Sequence, residues 1–152
     1  MQKLQDIEVR TEAPRYASSS QGNALPVLHE ILYALQRLNK SGESTTIDLR
    51  AIPFGPGDEK QLMTMLGRGE VEIRLDSLGT SEIWESNFQG VWIIKHKNAL
   101  GEPIALQIEV TRMPEIVRSQ QADINESISR LDAQLRAEIQ AADVSPSRRR
   151  DG

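Results

Sequence analysis

Cysteine is absent from this chain of 152 residues, which removes disulfides, thiolate nucleophiles and thiolate metal ligands together. Histidine is almost as scarce. His29 and His96 are the only two, and neither has a ligand partner at recognisable spacing, so neither a metal site nor a cofactor is expected. Long apolar runs are also missing, and Met1 to Arg10 is mixed and charged. Neither a membrane-spanning helix nor a signal peptide is expected, and a cytoplasmic location follows as the simplest expectation. Excess positive charge is missing as well: 18 Lys and Arg face 22 Asp and Glu, a net charge of −4. Without a positive field to gather phosphates, nucleic acid is not an expected partner. The run Arg148-Arg149-Arg150 is the exception, but behind Ser145-Pro146-Ser147 it reads as a solvated tail.

What remains is 38% hydrophobic and 26% charged, a composition suited to one domain able to bury a core. Residues 1–23 show no sustained period, include Pro14 and Ser18-Ser19-Ser20-Gln21-Gly22, and read as a flexible N-terminal arm. The domain itself is expected over 24–142, with 143–152 as a flexible basic tail.

Within the domain, Leu28, Ile31, Leu32, Leu35 and Leu38 recur at helical spacing after Pro26, and Asn39 to Gly42 supplies a stop. Thr45 to Ile52 alternates as a strand, with Ile47, Leu49 and Ala51 on one face. Asp58, with Gln61 three residues on, reads as the cap of a short helix that presents Leu62, Met65 and Leu66 inward and ends at Gly67. Val71, Ile73 and Leu75 then alternate with Glu70, Glu72, Arg74 and Asp76. Strands follow around Ser81 to Ser86, Val91 to Lys97 and Pro103 to Arg112, the last turning Ile104, Leu106, Ile108 and Val110 inward. From Pro114 to about Ala142 the pattern is helical again, and Ile124, Ile128, Leu131, Leu135 and Ile139 form a nearly heptad seam suited to pairing two copies as a homodimer. The order αβαββββα predicts an α+β fold: a mostly antiparallel sheet of about five strands, helices packed on one face, and a long C-terminal helix.

No standard catalytic motif appears. Gly67-Arg68-Gly69 lacks the lysine and hydroxyl of a phosphate-binding loop and precedes a strand, so it reads as a helix stop and a tight strand entry. Glu70, Glu82, Glu85 and Glu109 supply carboxylates, but alternation places Glu70, Glu72 and Glu109 on solvated strand faces. Glu85 shares parity with Ser81 and Ile83, which points to partial burial and requires a donor; Ser81, Thr80 or an N–H near Gly79 are the candidates. An enzyme using Glu70 and Glu85 as an acid–base pair stays open as an alternative, as does a dimeric module working through the last helix. Trp84 and Trp92 lie close in sequence. Trp92 suits the core, and Trp84 suits either the core or, beside Phe88, an interface anchor.

Several short motifs in one order carry a resemblance. They are Leu25-Pro26-Val27-Leu28-His29-Glu30-Ile31, Ile47-Asp48-Leu49, Ile52-Pro53, Leu66-Gly67-Arg68-Gly69-Glu70-Val71, Gly79-Thr80-Ser81-Glu82-Ile83-Trp84-Glu85-Ser86, Gly90-Val91-Trp92, Ile108-Glu109-Val110 and Met113-Pro114-Glu115-Ile116. From Leu25 to Ile124 the chain resembles the HupH/HyaF family of hydrogenase-expression proteins, with Ser86 standing where the family pattern has threonine. Longer members carry a further copy or extension of such a domain.

The resemblance implies an accessory or chaperone-like role, without catalysis, in maturation of nickel–iron uptake hydrogenases. It implies binding of an immature subunit, the iron–sulfur small subunit first, or of another maturation factor. The implied partner-binding face carries Gly69, Glu70, Trp84, Glu85, Phe88, Gly90, Trp92 and Glu109, and the absence of cysteine suits a holder better than a cluster scaffold.

Overall fold

The structure is a computed structural model and describes residues 22–145; most of the arm expected at 1–23 and of the tail expected at 143–152 lies outside that range, and 143–144 belong to the last helix. Two compact units divide the chain, one up to Pro114 and one from Glu115 onward.

The first unit is α+β, with α1 (Ala24–Ser41), β1 (Thr45–Asp48), α2 (Asp58–Leu66), β2 (Glu72–Asp76), β3 (Thr80–Glu85), β4 (Val91–Lys97) and β5 (Pro103–Val110). The sheet runs β1-β5-β4-β3-β2 with every pair antiparallel. Strands β2 to β5 form a meander through short turns, and β1 joins beside β5, leaving β1 and β2 at the two edges.

One sheet face carries Ile47, Ile108, Ile93 and Trp84 in a single cross-strand row, and α1 and α2 pack against this face. Helix α1 buries Ala24, Val27, Ile31, Ala34 and Leu38, so its inward stripe is rotated from the one anticipated: Leu32 is exposed, and Leu28 and Leu35 flank the core. Two alanines in that stripe let the helix approach the sheet closely, which a stripe of leucines would prevent. Helix α1 ends at Gly42, whose N–H donates to the Leu38 carbonyl at 2.9 Å.

Two boundaries in this unit differ from the sequence expectation for local reasons. Strand β1 stops at Asp48, because the Asp48 carboxylate accepts the Arg50 N–H at 2.9 Å and turns Leu49–Ala51 into a 3-10 turn. The cap of α2 is Gly57 with φ 83°; Asp58 is the first helical residue. Its buried carboxylate turns back to accept the N–H groups of Gly55 at 2.8 Å and Asn23 at 3.3 Å, which ties the start of α1 to the loop before α2. On β5, Ile104 is 54% exposed, so only Ile108 and Val110 of the four residues expected inward are buried.

The second unit holds a 3-10 turn at Glu115–Val117 and α3 (Gln121–Val144). The helix therefore starts seven residues after Pro114, behind an extended Gln120. None of its residues is buried. No helix among the described residues is long and apolar enough to cross a membrane.

Candidate functional site

Gly67, Gly69 and Gly90 come together at one end of the sheet, around the β3–β4 turn, whereas Gly79 lies at the other end, against the Lys97 carbonyl. Ser86 is buried, and its hydroxyl accepts the Phe88 N–H and donates to the Phe88 carbonyl, both at 3.0 Å, closing the turn on itself. A threonine at this position would offer the same hydroxyl. Gly90 completes the turn at φ 88°, a backbone state that side chains disfavour. Its carbonyl accepts the Thr111 N–H at 2.9 Å, joining the turn to the end of β5.

Glu85 holds this turn from within. Its carboxylate accepts the Gly90 N–H at 3.0 Å, so the donor anticipated near Gly79 or Ser81 is instead five residues downstream. Gly69 packs on the same backbone: its N–H donates to the Glu85 carbonyl at 2.7 Å, and a Cβ there would stand 2.5 Å from the Ser86 carbonyl oxygen. Asn87 N–H donates to the Leu66 carbonyl at 2.8 Å, so the α2–β2 turn and the β3–β4 turn form one bonded assembly.

Trp92 is 3% exposed and lies opposite Glu85 and Glu109 in the sheet. Its indole N–H donates to the Thr111 carbonyl at 3.1 Å, a buried bond that fixes the ring in the interior. Glu109 is half-buried and accepts from the Gln107 amide at 3.2 Å. Phe88, half exposed at the turn, and Gly69 and Glu70, exposed before β2, are the members of the anticipated face most open to solvent here. A cleft of about 520 Å³ opens at the β3–β4 turn, lined by Leu35, Leu38, Asn39, Glu85, Gln89, Gly90 and Arg112. As an acid–base pair, Glu70 and Glu85 have unequal duties, since the second is engaged by a backbone N–H while the first is solvated.

Trp84 belongs to the opposite face. It stands in the helix-covered layer, and the Arg68 guanidinium lies 4.3 Å from its ring centroid, a cation–π contact. Trp84, Ile52, Phe54, Met63 and Leu106 all border the core without being sealed by it, and together they floor an open groove of about 890 Å³. Arg50 and Lys95 stand in its walls beside Glu59. Arg50 is held by the Ile104 and Pro103 carbonyls at 3.0 and 3.1 Å, and Lys95 makes no ion pair among the described residues.

Sequence reading found Trp84 but not the groove. The available signal was parity: Lys95 and Leu106 share the face of Ile93 and Ile108, while within the first unit α1 and the short α2 are the helices that pack on it.

The remaining titratable groups occupy ordinary positions. His29 is exposed, and His96 has its Nδ1 2.7 Å from the Ser81 hydroxyl, on the face away from α1 and α2. Glu82 pairs with Lys97 at 3.1 Å; that hydrogen bond, opposed by partial burial and assisted by the charges of Lys97, Lys95 and Arg68, holds its carboxyl below the usual glutamate value. No cluster of three or more metal-ligating side chains occurs among the described residues. On α3, Ile124, Ile128, Leu131, Leu135 and Ile139 are exposed by 42% to 63%.

Comparison with known proteins gives a consistent result. The sequence model described as "HupH hydrogenase expression protein, C-terminal conserved region" matches residues 22–138. Hydrogenase expression/formation protein HoxQ of Azotobacter vinelandii is 32% identical over 111 residues, 72% of this chain and 39% of HoxQ. Hydrogenase-1 operon protein HyaF of Escherichia coli (strain K12) is 28% identical over 109 residues, 72% of this chain and 38% of HyaF. The chain thus spans about two-fifths of the length of the curated relatives it matches. Among solved structures, hydrogenase expression protein HupH from Thiobacillus denitrificans ATCC 25259 superposes with a TM-score of 0.74 at 42% identity, covering 78% of this chain and 99% of that one.

Proposed function

The chain belongs to the HupH hydrogenase expression protein family, through its C-terminal conserved region, and from this we propose that it is an accessory, chaperone-like factor in maturation of a nickel–iron uptake hydrogenase. Its task is to hold an immature subunit, the iron–sulfur small subunit first, or another maturation factor, and it performs no catalysis. Support for the role comes from relatives named as hydrogenase expression and formation proteins.

The observation that carries the binding reading is the open groove floored by Trp84, Phe54 and Leu106 at the unsealed margin of the core. An apolar recess with a few charged groups at its walls suits one or two large side chains of a client segment. The turn carrying Phe88 supplies a second contact area. In this assignment Gly69, Glu85, Gly90 and Trp92 act indirectly, by building the turn, while Trp84, Phe88 and Glu70 meet the client.

Recovery of hydrogenase subunits on the tagged chain from hydrogenase-expressing cells, detected with antibodies to each subunit, tests this. Lys95→Glu and Phe88→Ala change exposed or half-exposed positions and leave the core intact. Recovery of the small subunit by the native chain, with loss in either variant, supports the reading. Equal recovery by all three would remove the groove and turn as the docking face, and recovery of no hydrogenase component would remove the client role.

A further inference from the structure

Strand β2 ends the sheet order, and among the described residues no strand lies on its outer side. The hydrogen-bond phase on its inner side fixes which groups point outward. The Glu85 N–H donates to the Val71 carbonyl at 3.0 Å, and the register then sets Ile73 opposite Ile83 and Leu75 opposite Ser81. In an antiparallel ladder the bonded residues alternate, so Val71, Ile73 and Leu75 bond toward β3 while the N–H and C=O groups of Glu72 and Arg74 face the open edge.

We infer that this edge pairs with β2 of a second copy of the chain, antiparallel about a two-fold axis at Ile73. A two-fold perpendicular to the sheet keeps each face with itself, so only registers that match faces are allowed. With Ile73 on the axis, Glu72 of each copy lies opposite Arg74 of the other, and these two residues are the ones with outward backbone groups. Two opposite-charge pairs and four backbone hydrogen bonds form in one step. On the other face Ile73 meets Ile73, and Val71 meets Leu75 twice; Val71 is 40% exposed in the single copy.

The register of longer overlap, with Arg74 on the axis, sets guanidinium against guanidinium and Glu72 against Asp76, so like charges oppose it. In the single copy, Arg74 bonds to Asp76 at 3.1 Å and Glu72 to Arg68 at 3.5 Å, all with side chains more than half exposed. These are solvated pairs that exchange partners at little cost. Just beyond the paired segment, Glu70 of one copy approaches Asp76 of the other; this repulsion acts at the ends and limits the pairing to five residues per strand. Charged side chains on an edge ordinarily deter pairing, but here Glu72 and Arg74 complement each other across the axis; a two-fold at Leu75 would set Arg74 against Asp76 but leave Glu72 without a charged partner, and the double swap separates the two registers.

Sedimentation equilibrium of the full chain over a wide concentration range tests the interface, with Arg74→Glu, the double swap Glu72→Arg/Arg74→Glu, and Leu131→Lys on α3. Each variant is first checked for an unchanged circular dichroism spectrum. The native chain forms a dimer; Arg74→Glu raises the dissociation constant about tenfold or more, because two attractive pairs become two repulsive ones. The double swap restores dimerisation, and Leu131→Lys leaves it unchanged. A monomer at every concentration, a dimer indifferent to Arg74→Glu, a double swap without rescue, or a dimer abolished by Leu131→Lys each overturns the inference.

Discussion

The Glu85 carboxylate accepts the backbone N–H of Gly90 at 3.0 Å, spanning the β3–β4 turn with a charge-assisted bond. The turn therefore does not depend on backbone bonds alone. Glu85→Ala leaves the Gly90 N–H without its partner in a half-buried setting, and the expected loss is about 1–3 kcal/mol of folding stability. Glu85→Gln keeps an acceptor at the same reach and is expected to lose less than half as much. Urea denaturation of the two variants checks the order; equal losses would show that the bond is not what holds the turn.

Gly69 and Gly90 resist a side chain for different reasons. At Gly69 the obstacle is space, since a Cβ would sit 2.5 Å from the Ser86 carbonyl oxygen, and the backbone must part. At Gly90 the nearest atoms are 3.5 Å away or more, and the obstacle is φ 88°. Gly90→Ala is expected to cost about 1–2 kcal/mol from the left-handed backbone alone. Gly69→Ala should cost more, because it also strains the Gly69–Glu85 hydrogen bond, and amide exchange at Gly69 should quicken in that variant only.

The ease with which these elements read from sequence varied with how local their causes are. The β2–β5 meander was legible because alternation and glycine turns are encoded within a few residues, as Glu72 to Asp76 shows. The α1 stripe was misplaced by its alanines. Ala24 and Ala34 are wholly buried, yet their small size gives them little weight in a hydrophobic pattern. The end of β1 at Asp48 turned on one side-chain bond to Arg50, which competes with the ladder and has no periodic signature. At the site, the partial burial of Glu85 followed from strand parity, whereas its donor followed from the turn's three-dimensional closure. The groove beneath Trp84 was hidden for a similar reason: a gap in a helix layer is a property of coverage, and no single residue records it.

Glu82 gives the fold one small, signed dependence on pH. Its carboxyl is held below the usual glutamate value chiefly by the hydrogen bond from Lys97. As pH falls, the unfolded chain takes up this proton first, so the contribution is present above the unfolded value and is lost as pH drops through the lowered folded value. Both side chains are about one-third exposed or less, and solvent screening keeps the effect small. Glu82→Gln is expected to flatten this part of the acid limb of a stability–pH curve while leaving the curve near neutrality almost parallel to that of the native chain.

The two indoles offer the sharpest optical separation between the interior and the proposed docking face. Trp92 is 3% exposed with its N–H bonded to the Thr111 carbonyl, while Trp84 borders the open groove beneath Arg68. A chain with Trp92→Phe reports on Trp84 alone, and one with Trp84→Phe reports on Trp92 alone. Removing the buried Trp92 N–H leaves the Thr111 carbonyl unpaired and should cost about 1–3 kcal/mol, so folding of that variant is verified before its fluorescence is read. Acrylamide is expected to quench Trp84 markedly and Trp92 hardly at all. Addition of purified hydrogenase small subunit should then shield Trp84 and leave Trp92 unchanged. Shielding of neither indole, despite demonstrated complex formation, would move the contact away from the groove and toward the turn at Phe88.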